Sequence, residues 1–275
     1  MIKKWIFIAA LLCPTAIFAQ ISSKDWIDLT HPFDSDTVYW PTSEPFSLQV
    51  VYDGMTTEGY YYRANQYQAA EHGGTHIDAP SHFAKNGRTV GQIPLSQLMG
   101  NAVIIDVRQQ ALPDDDYLIT IGDIKAWEKL YGDIPNNSIV LFYTGYSDFW
   151  PDRFRYLGTV LKGQDAVAGL HFPGLAKDTA EWLISHRNIK AVGIDTASID
   201  YGQTLRYPTH QTLSAHNIPI FENVANLNKI QSPFAEVIAL PMDIKNGTGA
   251  PLRMIAKPIP YEPPETTDET TTSNQ

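Results

Sequence analysis

Glu71-His72-Gly73-Gly74-Thr75-His76-Ile77-Asp78-Ala79-Pro80-Ser81-His82 places three histidines and an aspartate within eleven residues. Imidazole nitrogens and carboxylate oxygens are ligands that divalent zinc or manganese accepts. A helical pair of histidines needs an uninterrupted turn between them. Here Gly73 and Gly74 intervene and Pro80 follows, so the segment reads as a strand running into a tight turn. On extended backbone His76 and Asp78, two residues apart, point to one face. The glycines let the chain carry His72 back toward that face, and Pro80 stiffens the exit that brings His82 close. Polar loop residues with no ligand would be a poor account of three histidines spaced four and six apart around an aspartate.

The chain on either side of this segment alternates strand and helix. Phe46–Tyr52 and the tyrosine-rich stretch 59–69 read as strands leading into it. Downstream, 101–107, 138–143 and 191–194 read as buried strands, and 236–240 and 253–256 as late ones. Ile121–Tyr131, ahead of Gly132, and Asp178–His186 read as helices. Strands mixed with helices in one run predict a single α/β domain, and no linker, heptad or repeat divides it.

The two ends differ from this pattern. Lys3 and Lys4 precede an apolar run from Trp5 to Phe18, and Ala19 offers a cleavage point. That run is shorter than the ~20 residues of a spanning helix, so residues 1–19 read as a signal peptide. The expectation is an exported protein, periplasmic or secreted, with no membrane attachment after cleavage. Residues 20–259 form the domain. Residues 260–275 are acidic and threonine-rich, and a disordered tail is expected there. Cys13 is the only cysteine and lies in the leader. A cleaved chain therefore has no disulfide and must hold any metal through nitrogen and oxygen. The formal charge of -10 leaves no basic surplus for phosphates, which argues against a nucleic-acid partner.

Other residues compete for a place in a site. His31 lies in a loop and says little. His171 precedes the turn Phe172-Pro173-Gly174, where a site role is the weaker reading. His186 ends a helix, where the helix dipole favours it. His210 opens a short helical stretch reaching Asn217. Glu222 follows the apolar run 218–221, where a carboxylate needs a partner. A metal ion and an arginine are both open as that partner. Trp40, in an aromatic loop, is either core or a wall for a flat substrate.

With these residues in view, the chain resembles the cyclase family of metal-dependent hydrolases, whose members include kynurenine formamidases and isatin hydrolases. The resemblance rests on His72-Gly73-Gly74-Thr75-His76-Ile77-Asp78-Ala79-Pro80-Ser81-His82. It continues through Trp40-Pro41, His171–Leu175, Gly193–Asp200 and the pair His210 and Glu222. The Asp195–Gly202 stretch looks closer to the isatin hydrolases. The resemblance implies a compact α/β domain with a swivelling β/β/α arrangement, a mixed sheet and flanking helices, assembled as a homodimer or larger. It implies that His72, His76 and Asp78 are metal ligands and that His210 and Glu222 complete a second position, for one or two zinc or manganese ions. His82 is then the catalytic acid/base and Trp40 lines the substrate pocket. The function implied is hydrolysis of a small aromatic amide or lactam at its C–N bond. Hydrolysis or lysis of another cyclic ester or hydroxy acid, and a non-catalytic periplasmic metal-binding protein, remain the alternatives.

Overall fold

Short runs of apolar and β-branched residues, bounded by turns, form the strands. They are β1 (Ile27–Asp28), β2 (Ser47–Met55), β3 (Tyr61–Gln68), β4 (His76–Asp78), β5 (Met99–Asp106), β6 (Leu118–Ile119), β7 (Ile139–Tyr143), β8 (Gly174–Leu175), β9 (Ala191–Ile194), β10 (Ile220–Glu222), β11 (Phe234–Pro241) and β12 (Gly249–Pro258). The helices are α1 (Leu95–Leu98), α2 (Arg108–Ala111), α3 (Ile121–Tyr131), α4 (Arg153–Leu157), α5 (Lys177–Arg187) and α6 (Pro208–Ala215). This computed structural model describes residues 22–263. The expected signal peptide, 1–19, and residues 264–275 of the expected tail lie outside the described residues. Among the described residues, no helix is long and apolar enough to cross a membrane.

The main sheet runs β1-β12-β11-β5-β7-β9-β10-β4, and β4 also pairs with β12. That extra pairing closes the strands from β12 round to β4 into a ring, leaving β1 outside it. β5, β7, β9 and β10 run parallel, while β4, β11 and β12 join antiparallel. The α/β domain with a mixed sheet is as expected. The closure was not legible, because its seam is a strand of three residues.

Side-chain alternation along the strands then makes two cores. Ala102, Ile104, Ile139, Leu141, Phe221, Val237, Leu252 and Ile77 face into the ring. Their neighbours Val103, Ile105, Val140, Phe142, Val192 and Ile220 face out, under Ile124 and Trp127 of α3, Leu183 of α5 and Leu213 of α6. Helix α3 begins where the sequence places it. Thr120 Oγ1 accepts from Asp123 N–H, and the Asp123 carboxylate accepts from Thr120 N–H at 2.7 Å. Helix α6 departs by two residues at each end. It starts at Pro208, a residue suited to a first turn, and stops before His216 and Asn217, the latter at φ 55°.

β2 and β3 form a separate two-stranded hairpin. Nearly all of its residues are exposed, unlike those of every ring strand. β3 leads within eight residues to β4.

Candidate metal centre and substrate cavity

Ile77 points into the ring core, so its neighbours His76 and Asp78 point outward together. β10 lies antiparallel beside β4, with Glu222 opposite His76 and Ile220 opposite Asp78. Phe221 faces the core, and this turns Glu222 to the same outer side. Helix α6 covers that side and brings in His210. His76, Asp78, His210 and Glu222 are each between 2% and 4% exposed. The extended reading of 76–78 therefore holds, and three other elements converge on it.

Each of three imidazoles is fixed through one nitrogen. His76 Nδ1–H donates to Gly74 O at 2.9 Å. His210 Nδ1–H donates to Asp200 Oδ2 at 2.7 Å, and Asp200 also accepts from the Thr209 and His210 backbone N–H groups. Thr248 Oγ1 gives its one proton to Glu71 Oε2 at 2.7 Å, so it accepts from His72 Nε2–H at 3.0 Å. The remaining ring nitrogens then point lone pairs at carboxylates. His72 Nδ1 is 2.7 Å from Asp78 Oδ1. His210 Nε2 is 3.1 Å from Asp78 Oδ2 and from Glu222 Oε1. His76 Nε2 is 3.1 Å from Asp78 Oδ1 and 3.6 Å from Glu222 Oε2, yet it is buried with no hydrogen-bond partner.

Acceptor facing acceptor in a dry site calls for positive charge between them. Burial by itself would lower His76 and His210, but Asp78 and Glu222 outweigh it at His76, and Asp200, Asp78 and Glu222 outweigh it at His210, so both lie above the ordinary histidine value. Burial likewise opposes ionisation of Asp78, yet the surrounding imidazoles hold its pKa well below the ordinary carboxylate value. A proton on the histidines answers this demand, and a divalent cation answers it with the same nitrogen and oxygen donors. Ligand atoms of His76, Asp78 and Glu222 lie within 4.8 Å of one another, as do those of His72, Asp78 and His82. Asp78 belongs to both groups, so two cation positions can share it. The donor set fits a divalent metal.

Glu222 has no arginine partner among the described residues. It accepts from Ile199 N–H at 2.7 Å, and its other neighbours are His76 and His210. His171 lies apart, paired with Asp116 at 2.9 Å. His31 stacks on Trp150 at 4.1 Å, and His186 stacks on Trp182 in the last turn of α5.

Above this floor is a cavity of about 290 Å³. His82 stands at its mouth, exposed, its ring stacked on His72 at 3.8 Å and edge-on to Phe83 at 4.5 Å. Its ring nitrogens have no hydrogen-bond partner among the described residues. One face of the ring is open, but the part packed against His72 and Phe83 is shielded from water, and that burial pulls its pKa down to about 4, although the Asp78 charge acts in the other direction. Trp40 lines the cavity, edge-on to Phe172 and Tyr207. Phe83 and Tyr207 complete an aromatic wall; both also pack against His210. Sequence reading gave no role to these two or to Thr248, nor to Asp200 and Glu71, which lie at the ends of stretches it quoted. A phenylalanine directly after His82 and a tyrosine three residues before His210 were the available signals.

A family model described as "Putative cyclase" matches residues 27–201. Kynurenine formamidase from Bacillus thuringiensis subsp. konkukian (strain 97-27) is 30% identical over 242 residues, covering 87% of this chain and 100% of that protein. Isatin hydrolase from Roseibium aggregatum is 29% identical over 209 residues, covering 73% and 76%. Among solved structures, isatin hydrolase A from Ralstonia solanacearum superposes with a TM-score of 0.75 at 30% identity, covering 84% of this chain and 90% of that one.

Proposed function

The chain belongs to the cyclase family, and from that membership we propose that it is a metal-dependent hydrolase cleaving the C–N bond of a small aryl amide or lactam. N-formylkynurenine and isatin are the substrate types that the relatives' names suggest. The observation that carries this reading is the convergence of three imidazole lone pairs on two buried carboxylates beneath an aromatic-walled cavity.

His72, His76, Asp78, His210 and Glu222 would hold the metal, and Asp78, which belongs to both candidate groups, would be shared if two ions bind. Nitrogen and oxygen donors suit zinc and manganese alike. A bound divalent cation supplies a Lewis acid and brings a water's pKa from near 16 to about 7. The rest falls to the chain itself. Trp40, Phe83 and Tyr207 hold a flat ring over the floor and keep water off it. His82 accepts the proton of the attacking water and returns it to the leaving nitrogen. Its role as acid/base is supported by its free ring nitrogens, its exposure and its seat on His72, whereas the other site histidines are tied through one nitrogen. A protein that only stored metal would have no use for such a ring. Export, read from residues 1–19, would place the reaction outside the cytoplasm.

Purified processed protein should contain metal by elemental analysis and turn over N-formylkynurenine or isatin in a spectrophotometric assay, with activity abolished by chelator and restored by zinc or manganese. Turnover that persists without metal would overturn the reading. So would an absence of metal after reconstitution.

A further inference from the structure

We infer that a second cavity, which shares Trp40 as a wall with the first, is a binding site for aromatic carboxylates built on Arg153. This cavity measures about 410 Å³, and Tyr39, Trp40 and Ser43 line both it and the cavity above the metal centre. Arg153 Nη1–H donates to Tyr39 O at a long 3.4 Å, while Nε and Nη2 are buried with no hydrogen-bond partner. Those two nitrogens form one edge of the guanidinium, whose parallel N–H bonds match the two oxygens of a carboxylate. The chain uses this edge twice elsewhere. Arg108 holds Asp106 through Nε and Nη2, and Arg187 holds Glu128 in the same way. At Arg153 no carboxylate among the described residues meets the edge. The carboxylates raise Arg108 and Arg187 above the ordinary arginine value, whereas burial lowers Arg153 and no acidic group offsets it. A guanidinium out of water without a counter-charge is costly, and an anion removes that cost.

The rest of the lining selects the anion. Trp40, Pro41, Pro45 and Pro151 give apolar walls, which suit an anion on a flat apolar body. Asp36 and Asp152 also line the cavity, and they repel a doubly charged phosphate more than a monoanion. Asp152 is already engaged in the first turn of α4, accepting from the Phe154 and Arg155 N–H groups at 3.0 and 3.2 Å. The long Nη1 bond leaves the guanidinium free to turn its paired edge into the cavity. The choice of an aromatic acid rests on the hydrolysis proposed above. A lactam and water give a carboxylate, an aromatic amine on the same molecule and one proton; the water oxygen stays on the carbonyl carbon. N-formylkynurenine carries a carboxylate before it reacts.

Calorimetric titration of the protein as purified, with benzoate as the probe, tests this. Wild type should bind benzoate, and Arg153→Gln should weaken binding at least about tenfold, the scale of hydrogen bonds to a charged group. Arg155→Gln makes the same charge change on an exposed arginine two residues on, and should leave binding intact. Arg153→Lys keeps the charge but not the paired edge, and its affinity should fall between wild type and Arg153→Gln. All three variants should keep the wild-type metal content, because neither arginine lines the cavity above the metal centre. Three results would overturn the proposal: no binding by wild type, equal binding by wild type and Arg153→Gln, or equal loss in Arg155→Gln. The titration involves no turnover. Benzoate held by Arg153 in a protein that hydrolyses neither substrate would strike the proposed reaction and leave this site standing. Kinetics identify the source of the acid. A KM for N-formylkynurenine raised about tenfold in Arg153→Gln, with that for isatin unchanged, assigns the substrate's own carboxylate. Weaker inhibition by isatinate, the acid that isatin yields, with both KM values unchanged, assigns the product.

Discussion

The floor and the mouth of the cavity are built from the same residue type under opposite rules. On the floor, His76 and His210 are buried and each is fixed through Nδ1, leaving one lone pair aimed at a carboxylate. At the mouth, His82 is exposed, held by ring stacking, with both nitrogens free of protein partners. A ring that must hold a cation needs a fixed tautomer and a fixed direction. A ring that must pick up and release a proton needs neither nitrogen spent. The difference divides four histidines into holders and a carrier, with His72 between them: tied to Thr248 like the floor, stacked on His82 like the mouth.

Four measurements can break or sharpen this division. The largest effect is expected on the floor. Asp78→Ala leaves three imidazoles without their shared carboxylate, and metal should be lost along with more activity than the roughly 10²–10⁴-fold of a single acid/base group. Stoichiometric metal in Asp78→Ala, measured by elemental analysis, would contradict the floor's role. Next comes the mouth: His82→Ala should keep its metal and lose about 10²–10⁴-fold in kcat. If it sheds metal as readily as His76→Ala, His82 is a holder and the division fails.

One layer further out, Asp200→Asn weakens the orienting bond to His210 without touching the cavity. Metal affinity, read by titration against a competing chelator, should fall about 10–100-fold. The smallest effect concerns pH. His82 sits at about 4, below the ordinary histidine value, so its basic form persists as pH falls through 6. With metal in excess, kcat/KM at pH 5.5 should stay within about twofold of its neutral value, where a histidine of ordinary pKa would lose about tenfold. An acid limb centred near 6.5 would show that the mouth does not perturb His82.

The floor was half legible in the sequence. His76 and Asp78 share a face through strand alternation, a local rule that needs no knowledge of the rest of the chain. Glu222 stood out only as a carboxylate after an apolar run; its place opposite His76 depends on strand register, which the sequence does not state. Phe83 and Tyr207 passed unnoticed because loop aromatics usually belong to cores. Asp200, though part of a stretch that carries the resemblance, had no role read from it because its use depends on where the His210 ring lies. Gly73 was read as a turn residue, and it is also a contact: a Cβ there would collide with the Tyr39 ring.

β4 is bonded on one side to residues 220–222 and on the other to residues 249–251. During synthesis it has to wait for both. Until residue 251 has emerged, the segment carrying His76 and Asp78 can have at most one of its two neighbours, and the ring is open along its seam. Contacts this distant in sequence form late, after the loop-closure entropy of the intervening chain has been overcome. A chain that stops short of it can carry every candidate ligand but only on an open ring, so full-affinity metal uptake would be a signal that folding has reached its final strand pairing.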